Sequence, residues 1–524
     1  MKIKLLSVLS LLALVSCVAS PTATSMPSPT STPLPTSTPI PTPYWPTEGW
    51  KTSSPEQQGV DSEQLAKMFD AIQQKNANIH SLLVIRHGCI VAEAYFHPYQ
   101  AEIPHELQSV TKSVVSALVG IAIQEGYIDG VGHKVVDFFS DRTIANNDAR
   151  KQKMTLKDLL TMTSGLGWIE ESPLNMPSLS QMVSQKDWAQ YVLDRPMVAD
   201  PGTTFNYGSG GPQLLSAILQ KTAGMSTLAF AQKSLFKRLG ISNVSWQADP
   251  SGITAGGWGL QLTPRDMAKL GYLYLHDGVW DGQPVVPAAW VKASTTKYID
   301  ASNGQDYGYL WWVQRTGSFG ARGHGGQYIL VFPGQDMIVV FTGGISDPNI
   351  DLPLQWAQSF IVPAAQSLAP LPANPAGVAR LQASIQAVEQ PQPKPVPSLP
   401  VIAKTISGKT YVFESNPIGA QTLSFTFEGG RAWSTFQNSN IGSNPITAEV
   451  GLDDVFRITP AGPGGLLAFK GFWQDEKTFV LYQQIAGQAE RMMAKMTFEG
   501  DTVTIQGEAL MDGLSGEFSG KLQK

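Results

Sequence analysis

Ser109 and Lys112 stand three residues apart in Ser109-Val110-Thr111-Lys112, directly ahead of an apolar run. A serine hydroxyl and a lysine amine can act as nucleophile and base when they share one helix face, where residues i and i+3 lie about 5–6 Å apart at Cβ. Ser113 to Ile123 contains no charged residue, so the pattern predicts a buried helix with Lys112 turned inward beside Ser109. Burial favours the neutral form of a lysine, and a neutral amine at 112 could take the serine proton. Ser109 would sit at the helix N-terminus, where backbone N–H groups and the helix dipole stabilise developing negative charge. The spacing alone is weak. Ser234 with Lys237 and Ser294 with Lys297 repeat it, and a lone Ser-x-x-Lys is ordinarily an exposed helical turn. The apolar helix is what sets Ser109 apart.

Two later elements could complete a site. In Tyr207-Gly208-Ser209, a tyrosine and a serine two apart on an extended turn point the same way. Tyr207 is then a candidate to share a proton with Lys112 and to protonate a leaving group; the plain alternative is an aromatic packed at a turn. Gly323-His324-Gly325-Gly326-Gln327 runs into the strand-like Tyr328 to Phe332. Glycines ahead of an edge strand let a substrate backbone approach closely. The Gln327 N–H is the candidate second oxyanion donor beside the Ser109 N–H, and a simple β-turn is the alternative. Trp168 either lines the pocket or packs in the core. His105 is expected behind the site or at the surface, because Lys112 already fills the role of base.

The Gly-x-Ser-x-Gly elbow is absent, since Tyr207 occupies its first position ahead of Ser209. Walker-type and His-Glu-x-x-His motifs are absent too, and no Cys and His residues cluster at zinc spacing. No metal or cofactor is expected.

The elements that must position these residues follow from periodicity. Asp61 to Lys75 reads as an amphipathic helix with Leu65, Met68, Phe69 and Ile72 on one side. Ser81 to Ile85 and Cys89 to Phe96 read as a hairpin about His87-Gly88, and Ile329 to Phe332 and Met337 to Thr342 as a second. Helices are expected at Ser113–Gln124, Leu214–Lys221, 352–366 and Val378–Val388. Strands at both ends with helices between suit an α+β fold: an antiparallel sheet flanked by helices, with a helical subdomain. From about Ile406, short strand-like runs such as Leu423–Phe427, Leu466–Trp473 and Phe479–Gln483 read as a small all-β domain, a sandwich or barrel.

The 524 residues accommodate several domains, and a net charge of -5 gives no sign of a nucleic-acid partner. Lys2 and Lys4 precede an apolar run from Leu5 to Val15, shorter than the ~20 residues of a membrane span but suited to a signal peptide. The run ends Leu14-Val15-Ser16-Cys17, which resembles a bacterial lipobox whose cysteine becomes lipidated. A Pro/Ser/Thr-rich stretch at 18–44 then reads as a flexible tether. The expected organisation is a lipoprotein signal peptide at 1–17, the linker at 18–44, a hydrolase domain at 45–367, a Pro/Ala-rich linker at 368–403 and an all-β domain at 404–524. The protein is thus expected outside the cytoplasm, anchored to a bacterial membrane through Cys17. Cys89, within a strand, is expected to be a buried thiol outside any disulfide.

The order Ser-x-x-Lys, Tyr-x-Ser, His-Gly-Gly resembles the serine β-lactamase and penicillin-binding-protein superfamily, in particular its class C and esterase-like, 6-aminohexanoate-dimer-hydrolase-like branch. The flanks agree: Thr155 to Leu166, Gly257-Trp258-Gly259-Leu260, Thr263-Pro264-Arg265-Asp266-Met267-Ala268 and Tyr307-Gly308-Tyr309-Leu310-Trp311-Trp312. The resemblance covers roughly residues 50–367. It implies a β-lactamase/DD-peptidase-like fold and an acyl-enzyme on Ser109. Lys112 and Tyr207 would move protons, and Ser209, His324, Gly325, Gly326 and Trp168 would contact substrate. β-Lactamases carry Lys-Thr-Gly where this chain has His324-Gly325-Gly326, and Asn where it has Ser209. A histidine and a glycine hold a substrate carboxylate poorly, so the resemblance implies a small-molecule or peptide-like ester or amide substrate over a β-lactam. The alternatives are β-lactamase or DD-peptidase activity, or a non-enzymatic envelope lipoprotein that binds cell-wall peptide, glycan or a partner protein.

Overall fold

The computed structural model describes residues 44–524, apart from 173, 302–303, 348, 417, 441, 443 and 461–464. The leader, the lipobox Cys17 and nearly all of the 18–44 linker lie outside the described residues.

Helix α1 spans Ser62–Lys75. Asp61 caps it by accepting hydrogen bonds from Glu63 N and Gln64 N, a contact of about 1 kcal/mol. Its apolar side chains Leu65, Met68, Phe69 and Ile72 are buried, as the periodicity predicts. Strands β1 (Lys51–Thr52), β2 (Ile79–Arg86), β3 (Cys89–Tyr95), β4 (His105–Glu106), β5 (Ser245–Trp246), β6 (Leu260–Leu262), β7 (Ile299–Asp300), β8 (Asp306–Tyr307), β9 (Trp312–Val313), β10 (Phe319–Gly323), β11 (Gln327–Phe332) and β12 (Met337–Gly343) build the main body. Nine of them form one sheet in the order β1-β3-β2-β12-β11-β10-β9-β8-β7, and β4-β6-β5 form a small separate sheet. β1 runs parallel to β3, and the other pairs in the large sheet are antiparallel.

Both expected hairpins form. His87 and Gly88 each take a positive φ, 49° and 73°, the hand a two-residue hairpin needs. One expectation is corrected: β11 lies between β12 and β10, so the glycine-rich turn does not precede an edge strand. Cys89 is a half-buried free thiol at the start of β3, more open than a core residue.

Successive side chains of a strand face opposite sides, and here both sides are covered. Leu83, Ile85, Ile329, Val331, Ile338 and Val340 join one core with helix α2 (Val110–Gln124) and the helical subdomain. Leu82, Val84, Leu330, Val339 and Phe341 join a second core with α1, Leu354 and Trp356. This explains why β2, β11 and β12 read as continuous apolar runs. Helix α2 buries Val114, Val115, Leu118, Val119 and Ile121. At about 1.5–3 kcal/mol for each such side chain, they outweigh the several kcal/mol needed to desolvate the one lysine on this helix.

The Pro/Ala-rich segment contributes helix α4 (Pro375–Glu389), which packs on α1 and buries Leu381 in the second core; α3 (Gly210–Ala223) lies in the helical subdomain. Arg380 ties α4 to Glu63 and Asp70 of α1 at 2.8 and 2.7 Å. Beyond it, ten described strands from Thr410–Phe413 to Ser515–Leu522 form an antiparallel meander around an aromatic core of Phe425, Phe427, Phe479 and Phe498. Thr410–Phe413 pairs with Ser515–Leu522, and Gly451 bridges to Lys470, so the sheet curls into a near-barrel. The near-barrel docks on the main body: Glu106 N donates to Gly487 O at 2.8 Å, and Arg491 donates to Asn78 Oδ1 at 2.5 Å.

Candidate active site

Ser109 sits at the N-cap of α2 with helical backbone angles, and Gln108 before it is held at φ 50°. This left-handed residue turns the chain sharply from β4 into α2 and leaves Ser109 partly open. Lys112 is 1% exposed. Its Nζ donates to Ser109 Oγ at 2.8 Å, Gly257 O at 2.9 Å and Ser209 Oγ at 3.1 Å, so all three ammonium hydrogens have an acceptor. The other two Ser-x-x-Lys runs do nothing comparable: Lys237 is exposed, and Lys297 pairs with Asp300 and Asp306.

The second element reaches the first through residues 160–163 and Leu310. Asn206 N donates to Met162 O and Gly202 N to Thr163 O, both at 2.8 Å, Leu310 N donates to Leu160 O at 2.9 Å, and Ser113 Oγ on α2 donates to Leu310 O at 2.6 Å. The Tyr207 ring stacks on Trp312 at 5.9 Å and lies 5.0 Å from Lys112 Nζ. Ser209 is buried at the N-terminus of α3, and its hydroxyl makes no cap bond there. It turns to Lys112 and to a residue no motif flags: Glu170. Glu170 Oε1 accepts from Ser209 Oγ at 2.8 Å, while Oε2 accepts from Ser209 N at 2.8 Å and Trp168 Nε1 at 2.7 Å. Trp168 underlies this turn. A Cβ on Gly208 or Gly210 would come within 2.4 or 2.8 Å of its ring.

The third element lies beside the turn that carries Ser109. A Cβ on Gly323 would stand 2.4 Å from Leu107 O and 3.0 Å from both Gln108 Cβ and Gln327 Cβ. The Gln327 side chain is buried, donating to His324 O and Gly343 O and accepting from Gly343 N, which fixes the turn to β12. Gly325 and Gly326 have φ of 76° and 90°, angles that favour glycine. Gly325 faces Met511 and Ala489 of the near-barrel. His324 Nε2 lies 2.8 Å from Asp512 Oδ1. Burial pulls the imidazole pKa down, but the hydrogen bond and charge of Asp512, together with the charges of Asp347 and Glu490, outweigh that and raise it.

Sequence reasoning also passed over Glu106, three residues before Ser109. It is buried, accepts from Gly259 N at 3.2 Å and from Gln108 Nε2, and burial raises its pKa to about 7. It borders a cavity of about 470 Å³ with Gln108, Trp246, Trp258 and Gln488. His105 lies buried behind this strand, 2.9 Å from His80, and desolvation lowers its pKa to about 4. Among the described residues no group of three or more His, Cys, Asp or Glu side chains is placed to hold a metal.

A sequence model of the Beta-lactamase family matches residues 65–352, which hold Ser109, Lys112, Glu170, Tyr207, Ser209 and the Gly323–Gln327 turn, while β1, α4 and the near-barrel lie outside it. The chain belongs to that family. Among its Beta-lactamase-family relatives, the 6-aminohexanoate-dimer hydrolase of Paenarthrobacter ureafaciens is 23% identical over 51% of this chain and 73% of its own. An uncharacterised protein of Alkalihalophilus pseudofirmus is 23% identical over 50% of this chain and 82% of its own. The fold is shared with a Bacillus anthracis protein provisionally described as a 6-aminohexanoate-dimer hydrolase, with a TM-score of 0.53 at 19% identity over 62% of this chain and 89% of the other. In this family of hydrolases, Ser109, Lys112 and Tyr207 are the nucleophile, base and proton-shuttle candidates.

Proposed function

We propose that the chain is an extracytoplasmic serine hydrolase that cleaves ester or linear amide bonds through an acyl-enzyme on Ser109. The observation that carries this reading is the 2.8 Å contact of Lys112 Nζ with Ser109 Oγ at the head of a buried helix. As Ser109 Oγ attacks the substrate carbonyl, its proton passes to Lys112. The N–H groups of Ser109 and Gln327 receive the oxyanion, at about 2.7–4 kcal/mol for each donor. Tyr207, beside Lys112, returns the proton to the leaving group. Water then releases the acyl group by the same route in reverse.

The substrate class follows from the third element. His324, engaged by Asp512, and Gly325 replace the cation and hydroxyl that would hold a β-lactam carboxylate. The likeness to the 6-aminohexanoate-dimer hydrolase of Paenarthrobacter ureafaciens supports a linear amide as readily as an ester. The apolar run at 5–15 and Cys17 support export and a lipid anchor in a bacterial membrane. A screen of p-nitrophenyl esters, linear amides and β-lactams, with Ser109→Ala as control, tests the reading. Turnover of esters or linear amides that is lost in Ser109→Ala is expected. Turnover confined to β-lactams, or turnover that survives Ser109→Ala, would overturn it.

A further inference from the structure

Lys112 Nζ is surrounded by three oxygens, an arrangement that a full ammonium satisfies, and an ammonium cannot act as a base. Its three hydrogens are all donated, to Ser109 Oγ, Ser209 Oγ and Gly257 O, and an ammonium nitrogen has no lone pair to accept a proton. Before Ser109 can be activated, Lys112 must lose one proton, in a place 1% exposed to solvent.

Of its three acceptors, Gly257 O is a carbonyl with no proton to pass on, and Ser109 is the group to be activated. Ser209 remains. A serine hydroxyl has one donor and two acceptor sites. Ser209 Oγ receives Lys112 Nζ at 3.1 Å and donates to Glu170 Oε1 at 2.8 Å. The hydrogen bonds therefore run one way, Lys112 to Ser209 to Glu170. The end of the line is fixed in position: Glu170 Oε2 is held by Ser209 N and by the indole of Trp168, itself wedged against Gly208 and Gly210.

We infer that Glu170 is a positioning residue that stores the proton Lys112 must lose, with Ser209 as the relay. This rests on the reading of Ser109 as nucleophile. An Nζ–H bond of Lys112 breaks and its hydrogen bonds to Ser209 Oγ. The Ser209 O–H bond breaks, and that hydrogen bonds to Glu170 Oε1. The ammonium and carboxylate become a neutral amine and a neutral acid, with no outside reactant. The freed lone pair on Nζ then takes the Ser109 proton as Oγ bonds to the carbonyl carbon. After deacylation the protons return along the same path.

The test uses the full chain and a p-nitrophenyl ester, comparing wild type, Glu170→Gln, Ser209→Ala and the double variant. Glutamine keeps the shape and can still accept from Ser209 N and Trp168, so Tm and KM are expected to stay near wild type. It is a poor proton acceptor, so kcat is expected to fall about 100-fold, within the range of a lost acid–base contribution. Ser209→Ala breaks the same relay, and the double variant is expected to be no slower than the slower single, because groups in one network are not additive. Labelling of wild-type Ser109 by a fluorophosphonate keeps this test separate from the parent reading. With labelling intact, a Glu170→Gln kcat within threefold of wild type, or losses that multiply in the double variant, would overturn the relay alone. Wild type that neither labels nor turns over would overturn both.

Discussion

His324 Nε2 lies 2.8 Å from Asp512 Oδ1, which ties the glycine-rich turn beside the nucleophile to the last hairpin of the near-barrel. The carboxylate is itself supported, since Glu490 accepts from Met511 N at 2.9 Å and Asp512 N at 3.3 Å. The all-β domain thus reaches the wall of the site through Asp512 and Met511.

Asp512→Asn removes the largest influence that raises the His324 pKa and leaves burial, which lowers it, against the smaller upward pull of Asp347 and Glu490. A raised histidine pKa contributes stability below the imidazole's ordinary range, and that contribution is lost as pH rises through the folded-state value. The variant is therefore expected to lose more stability in mild acid than in mild base. NMR titration of the imidazole is expected to show its midpoint moved down.

Glu106 gives the same sign of pH dependence from a carboxyl group. Its carboxyl is held near 7 against an ordinary 4.5, so the folded state keeps a proton that the unfolded chain releases. Stability falls as pH rises between those values, by at most about 3 kcal/mol. Glu106→Gln is expected to raise Tm at about pH 8 while giving no gain near pH 4. Thermal melts at the two pH values measure it.

Lys112 separates stability from activity. Replacing a buried charge by an apolar side chain of similar volume is often neutral or stabilising. Lys112→Met is therefore expected to hold Tm at or above wild type while kcat falls by about 100- to 10,000-fold. Calorimetry and steady-state ester hydrolysis on one preparation test both halves.

Gly257 tests the geometry around Ser209. A Cβ there would stand 2.8 Å from Ser209 Cβ and 2.9 Å from its Oγ, forcing the hydroxyl away from Lys112. Gly257→Ala is expected to lower kcat about tenfold or more with the helical content unchanged by circular dichroism.

The legible parts of this fold are those with local signals. The charge-free run after Lys112 predicts α2 because burial of its apolar side chains dominates every other contribution. His87-Gly88 predicts its hairpin because the turn needs two positive φ angles. The order of strands is not local: β2 pairs with β12, with Val84 opposite Val339, and this pairing places β12 inside the sheet. Glu170 and Asp512 were illegible for the same reason. Each matters through a partner distant in sequence, Ser209 and His324 respectively, and neither belongs to a spaced motif. Ser109, Lys112 and Tyr207 could be singled out because the chemistry of a nucleophile and its proton carriers limits which residue types can stand there.

The central claim is that Ser109 Oγ carries the acyl group. Mass spectrometry of the full chain, quenched during turnover of an activated ester and then digested, tests it most directly. The acyl mass is expected on the peptide containing Ser109, absent from Ser109→Ala, and accumulating in Glu170→Gln no faster than in wild type. Turnover with the acyl group on a different residue, or with no adduct on Ser109 when deacylation is rate-limiting, would contradict the account.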